Sequence, residues 1–218
     1  MKVKLVSYTT PSTWLNDEGV HSLNDLAAFC ARVSNPSNQF NTETSDKLIA
    51  YLIAHKHWSP LEMVNVCLEI ETTRDIARQI LRHRSFSFQE FSQRYADPVK
   101  ELTFVLREAR MQDPKNRQNS IPADDVDLEW EWAHKQEEVI EQAKAAYRWA
   151  IDNGIAKEQA RCVLPEGNTV SRMYVNGTLR SWIHYIELRR EHGTQKEHAL
   201  IAKECAQIIS ELFPYFSS

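Results

Sequence analysis

The stretch Met63–Thr73, "MVNVCLEIETT", alternates apolar and polar side chains with the period of two that belongs to a β-strand. At Thr73 the pattern changes to "RDIARQILRHR", with Asp75 in the first turn of a helix, where its charge meets the positive end of the macrodipole. A strand that runs straight into a helix demands a fold that mixes the two. The rest of the chain agrees. "KVKLVSYT" reads as a first strand, "SLNDLAAFCARVS" as a helix behind a serine cap, and "TSDKLIAYLIAHKH" as a second helix. "LTFVLREAR" reads as a strand and "MQDPKNRQNSIPADDVD" as an exposed loop. One long helical pattern covers Leu128–Asn153 and stops at Asn153-Gly154. A short helix at "KEQARCVLP", a strand at "TVSRMYV" and two more helices follow, the last starting at Gly193-Thr194 with Thr194 and Glu197 as a capping box. There is no regular βαβ alternation, repeat or linker, so the expectation is an α+β fold, helices with an antiparallel sheet, in one domain over 1–218. The aromatic residues Trp130, Trp132, Tyr147 and Trp149 are expected to pack in the core.

The chain carries a net charge of −4, so bulk attraction to nucleic acid is not expected. No window reaches the apolar length of a membrane span, and the N-terminus lacks a signal-peptide core. Cys30, Cys67, Cys162 and Cys205 lie far apart with no zinc pattern and read as free thiols, most of them buried, in a reducing cytoplasm. His55 and His57 flank Lys56 without a third ligand, and no metal is expected.

Against that acidic background, "RQILRHRSFSFQEFSQRYADP", Arg78–Pro98, gathers four arginines and a histidine. Arg74, Arg78 and Arg82 stand four apart, which puts them on one helical face. On the pattern alone this face is either solvated, with structural salt bridges, or an anion site. "SFSFQ" then sets Ser85, Ser87 and Gln89 against Phe86 and Phe88, an extended segment with one polar edge. Hydroxyls with guanidiniums suit a phosphate, and aromatic rings nearby can cover a planar base. The pattern points to a nucleotide site.

Arg82-His83-Arg84, then Ser87, Gln89-Glu90, Ser92 and Arg94-Tyr95, resembles the signature RHR-x-x-S-x-(N/Q)-E-x-S-x-R-Y of the flavin-dependent thymidylate synthases, and every fixed position matches. The resemblance runs from about Tyr51 to about His198. Upstream, His57, Ser59, Pro60 and Glu62 fit the family's H-x-[ST]-P-x-E. Downstream, "ARCVLP" fits its A-R-x-x-L-P, and Arg180, Ser181, His184, Leu188 and Arg189 fit its R-S-x-x-(N/H)-F-x-x-L-R, with Tyr185 where Phe is usual.

The resemblance implies FAD contacts from His57, Ser59, Arg82, His83, Arg84, Glu90, Leu179, Arg180 and His184, and from Asn176 or Thr178 at the turn between them. It implies that deoxyuridine monophosphate (dUMP) is framed by Arg78, Gln79, Ile80, Leu81, Arg82, Glu90, Phe91, Ser92, Gln93, Arg94, Arg161 and Arg189. Ser92 reads as a phosphate-binding hydroxyl rather than a nucleophile, since no His–Asp relay is visible to activate it. Arg189 corresponds to the arginine that polarises the uracil ring. The implied reaction is reductive methylation of dUMP to dTMP, with 5,10-methylenetetrahydrofolate giving the carbon and NADPH reducing FAD. No protein thiol is needed, and Cys162 reads as a packing residue. The family's active sites lie between the subunits of a homotetramer, and the implied setting is the cytoplasm, or a host's cytoplasm for a viral chain.

Three other readings make different demands. A nucleotide-binding regulator without turnover predicts loss of Arg189 or of the Ser92/Arg94 pair, and an RNA-binding module predicts further basic stripes where "ADDVDLEWEWAHKQEE" is acidic. A flavin reductase has no use for the arginines that match dUMP contacts.

Overall fold

The computed structural model describes residues 1–217. In chain order the elements are β1 (Lys2–Tyr8), α1 (Thr13–Asp17), α2 (Leu23–Ala31), α3 (Ser45–Ala54), β2 (Asn65–Thr73), α4 (Arg74–Ile80), β3 (Ser87–Glu90) and α5 (Pro98–Glu101). Then follow β4 (Arg110–Gln112), β5 (Ser120–Pro122), α6 (Val126–Asp152), α7 (Lys157–Ala160), β6 (Val170–Thr178), α8 (Leu179–Arg190) and α9 (Lys196–Ser210). The fold is α+β, built on an antiparallel sheet in the order β1-β2-β6-β3.

Alternation fixes which face of that sheet is covered. Val66, Leu68 and Ile70 of β2 are fully buried, and the register sets Leu68 beside Val175 and Ile70 beside Met173 of β6. The intervening residues face the other way and form cross-strand ion pairs, Lys4–Glu69 at 3.3 Å and Arg172–Glu71 at 2.6 Å. On the buried side, α8 contributes Leu179, Trp182, Ile183 and Ile186, and α9 contributes Ile201, Cys205 and Ile209. Trp182 keeps its indole N–H satisfied by donating to the Val66 carbonyl at 2.9 Å. Helix α2 opens as expected on Ser22, which forms a reciprocal capping box with Asp25.

Strand β6 turns directly into α8, with Thr178 as N-cap accepting from the Ser181 N–H at 3.1 Å. The corner needs Gly177. A Cβ there would lie 2.3 Å from Cδ1 of Phe86, whose ring is buried against Trp182 at 4.6 Å. Gly177→Ala is therefore expected to destabilise the fold by about 1–3 kcal/mol, the usual range for overpacking a filled core. A denaturant midpoint equal to that of the parent would show that the Phe86 ring yields freely.

Five expectations need correction. "LTFVLREAR" is not a strand: its extended chain forms one bridge, Phe104 to Thr169, and is clamped by Gln136 of α6, which accepts from the Arg107 N–H at 2.7 Å and donates to the Arg107 carbonyl at 2.9 Å. The region after it is not wholly loop, because β4 and β5 form a hairpin whose turn is held by Asp113, accepting from the Lys115 N–H at 2.8 Å and Asn119 Nδ2 at 2.9 Å. Thr194 and Glu197 make no capping box. The N-cap of α9 is Gln195, and Glu197 turns instead to two arginines. Of the aromatic residues on α6 only Tyr147 is buried; Trp130, Trp132 and Trp149 are exposed, because the core-facing stripe runs through Gln136, Ile140, Ala143 and Tyr147. All four cysteines are free, but only Cys205 is buried, and Cys162 is exposed rather than packed.

Candidate active site

Helix α3 stops at Ala54, the next residues turn through Lys56 at φ 59°, and the His57 N–H closes the turn on the Leu52 carbonyl at 2.8 Å. This leaves His57 exposed just before a short 3₁₀ turn, Ser59–Glu62, and Ser59 exposed at its start. Trp58 sets its ring edge-on to His184 of α8 at 4.4 Å, and Arg180 pairs with Glu62. The start of α8 is tied to the segment after α4 by Ser181 Oγ, which donates to the Ser85 carbonyl at 3.1 Å, while Asn176 of β6 pairs in register with Ser87 of β3. His57, Ser59, Asn176, Thr178, Arg180 and His184 thus belong to connected corners. Leu179 is fully buried, and its N–H goes to the Val64 carbonyl at 2.9 Å.

Helix α4 ends at Ile80, so Arg74 and Arg78 lie within it and Arg82 follows in the turn after it. Ile80 lies in the core, with Leu81 packed against it. Arg82 and Arg84 are exposed, and neither forms an ion pair among the described residues. Beside β3, Glu90 accepts from Ser171 Oγ at 2.9 Å and lies 3.5 Å from Arg78 and 3.8 Å from Arg74. Phe91 continues the pairing through its N–H to the Arg172 carbonyl at 2.8 Å.

A cleft of about 350 Å³ opens between α4 and the α7 region, lined by Arg74, Arg78, Gln93, Arg161, Cys162 and Glu166 among others. Gln93 is 3% exposed and its Nε2 has no hydrogen-bond partner. An unsatisfied buried donor facing several guanidiniums is costly unless an acceptor enters. A neighbouring cleft is lined by Ser92, Arg94 and Tyr95, and Arg94 pairs there with Glu158 at 3.2 Å. Arg161 forms no ion pair among the described residues.

Arg189 sits at the end of α8, half-buried, and its Nε donates to Nε2 of His83 at 3.0 Å. No other partner holds its two Nη groups among the described residues. His83 must be neutral to accept, and burial, then Arg189 and Arg82, hold its pKa down to about 4. Behind it His198, fully buried, is held at about 3 by burial, Arg189 and His83. In the unfolded chain both imidazoles titrate near the ordinary 6.5, so between that pH and their folded values only the unfolded state takes up protons. Stability is expected to be full above pH 6.5 and to fall as pH drops toward 4, by a few kcal/mol in order of magnitude. Thermal melts across that range check this, and a level profile would contradict it.

Two residues that shape the site, Arg74 and His198, fall outside the motifs. Arg74 shares Glu90 and Glu166 with Arg78, at 3.5–3.8 Å. The four-residue arginine spacing pointed to it, but nothing in the pattern told its buried role from that of a surface cation. Tyr185 and His198 form a hydrogen-bonded pair at 3.2 Å. Tyr185 stands at the motif position where Phe is usual, whereas His198 gave no signal beyond its helical period.

Residues 20–215 match the family described as thymidylate synthase complementing protein. The chain is 48% identical over 214 residues to a protein of Paramecium bursaria Chlorella virus 1 named "Probable flavin-dependent thymidylate synthase", covering 98% of this chain and 96% of that one. It is 47% identical to the flavin-dependent thymidylate synthase of Synechocystis sp., with the same coverage. Among solved structures, the UMP/dUMP methylase PolB from Streptomyces cacaoi bound with 5-Br dUMP superposes with a TM-score of 0.81 at 25% identity, over 99% of this chain and 92% of that one. By the match over residues 20–215 and these identities, the chain belongs to the flavin-dependent thymidylate synthase family.

Proposed function

We propose that the protein methylates dUMP to dTMP, taking the carbon from 5,10-methylenetetrahydrofolate and its reducing equivalents from NADPH. The observation that carries this reading is the surplus of guanidinium and amide donors over carboxylates around Gln93, Arg161 and Arg189. A nucleotide phosphate supplies the missing acceptor for Gln93 Nε2, and Arg78 and Arg161 supply its countercharge. Ser92 and Arg94, in the adjoining cleft, add a hydroxyl and a second guanidinium.

The residues present suit FAD. His57, Ser59, Arg82, Arg84, Arg180 and His184 form a set of imidazole, hydroxyl and guanidinium donors, matched to the carbonyls of a flavin ring and to a pyrophosphate. Bound FAD supplies the hydride chemistry. The protein's own share is positioning and charge. Arg189, anchored through Nε, directs its free fork at a planar ring and stabilises the anion formed as N3 of the uracil ionises, which makes C5 a better carbon nucleophile. Glu90, Gln79 and Arg82 frame the ring, and His83, neutral, holds Arg189 without cancelling its charge.

No protein thiol takes part. Cys162 lines the cleft beside Arg161, yet Cys162→Ser is expected to leave kcat within about twofold, since the flavin route needs no enzyme nucleophile. A loss of several orders of magnitude in that variant would favour thiol catalysis. A homotetramer with FAD at subunit interfaces is part of the proposal, and the exposed Trp130, Trp149 and Val126 of α6 offer apolar surface for assembly.

The reading is tested by adding dUMP to the FAD-loaded protein. A change in the flavin absorbance that saturates with dUMP, and is weakened by Arg161→Ala, is expected. A flavin spectrum indifferent to dUMP would count against a shared site.

A further inference from the structure

We propose that His198, which lies outside every motif of the site, is a positioning residue that, together with Gln195, holds Gln79 as a hydrogen-bond donor toward the nucleotide. The inference rests on the dUMP reading above and concerns a chain of buried hydrogen bonds behind the site. Each bond in that chain has its direction set from one end.

The end is Glu197, 7% exposed, whose Oε1 accepts from Arg110 at 2.6 Å while its Oε2 forms an ion pair with Arg107 at 3.0 Å. Burial pushes the pKa of this carboxyl up, but its own N–H and the two arginines outweigh that and leave it lowered. It is therefore ionised and can only accept. Gln195 must then present its amide nitrogen, and its Nε2 lies 3.0 Å from Glu197. That leaves Gln195 Oε1 as an acceptor, which Gln79 Nε2 fills at 2.8 Å. Gln79 Oε1 is thereby turned inward, 3.2 Å from Nδ1 of His198, which must carry the proton. His198 Nε2 is then an acceptor, and Tyr185 donates to it at 3.2 Å.

The consequence falls on Gln79. Its oxygen is held inward against His198 and one amide hydrogen goes to Gln195, so its second N–H is the group left to face a ligand. A glutamine free to flip would offer either an acceptor or a donor. Held this way it offers a donor alone, matched to a carbonyl or hydroxyl oxygen of the nucleotide and mismatched to a donor. Among the described residues His198 is the group that caps Gln79 Oε1, and it lies on α9 while Gln79 lies on α4. It acts only through Gln79 and Tyr185 and makes no ligand contact of its own.

Two conservative variants separate positioning from mere packing. His198→Asn places an amide nitrogen close to where Nδ1 lies and keeps the donor to Gln79. His198→Gln reaches as far as Nε2 and keeps an acceptor for Tyr185, but gives up the donor to Gln79. The FAD-loaded parent and both variants are compared for thermal midpoint, flavin content, dUMP affinity from the flavin absorbance, and kcat and KM for dUMP. Expected are flavin content unchanged in both, dUMP affinity and KM of H198N within about threefold of the parent, and those of H198Q weakened by about tenfold or more, a single lost hydrogen bond's worth. Equal losses in the two variants, or none in H198Q, would overturn the positioning role while leaving the dUMP reading intact. If the parent itself fails to bind dUMP, the reading and the proposal fall together.

Discussion

Replacing Arg189 by lysine is expected to lower kcat by about 10²–10³-fold, the usual cost of removing one preorganised donor from a developing anion. The reason lies in the division of labour within one guanidinium. Nε is committed to His83 at 3.0 Å, which leaves the planar fork to meet two acceptors of a ring at once. A lysine has one ammonium at the end of a flexible stem and cannot serve His83 and the ring together. Arg189 also has no carboxylate partner among the described residues, so its charge is available to a substrate that becomes anionic. Arg189 is half-buried and outside the core cluster, so R189K should melt close to the parent. Steady-state kinetics with saturating dUMP give the answer. An unchanged kcat with only KM raised would make Arg189 a binding residue and remove it from the chemistry.

Glu197→Leu is expected to cost about 3–5 kcal/mol of stability, because it strips a buried carboxylate from two arginines and leaves them facing each other. Arg107 is the hub of that cluster. It reaches Asp75 at 2.8 Å and the Gly167 carbonyl at 3.1 Å as well as Glu197, so it binds the first turn of α4 to the start of α9. At about 2–4 °C per kcal/mol for a chain of this size, the melting temperature should fall by roughly 10 °C. Glu108→Leu is the contrast. Its pair with Lys196 at 2.7 Å is exposed on both sides, and its loss should cost no more than about 1 kcal/mol. Similar melting losses for E197L and E108L would show that burial gives the Glu197 cluster no special weight.

What the sequence disclosed was whatever a local period or a contiguous motif could carry. The alternation of β2, the helix change at Thr73, the serine cap of α2 and the run from Arg82 to Tyr95 all stand in the structure where the chain pattern put them. The failures share a cause. The segment around Val105 has strand composition, but its main chain is satisfied by the side chain of Gln136, 29 residues away, and no period reports such a partner. Glu197 has the spacing of a capping box, yet two arginines from the β4 region compete for it and an ion pair prevails over a cap. The tryptophans of α6 are apolar by composition and exposed by geometry. The candidate site residues could be named from the motifs. Their arrangement could not, because His83 against Arg189 and His198 against Gln79 join positions more than a hundred residues apart.

The most direct measurement is tritium release from dUMP labelled at C5, with FAD, NADPH and methylenetetrahydrofolate present. Release in step with dTMP formation, absent when flavin is left out, is the expected result. A folded, flavin-loaded protein that binds dUMP and releases no tritium would contradict methylation at C5 and leave a flavoprotein that binds the nucleotide without transforming it.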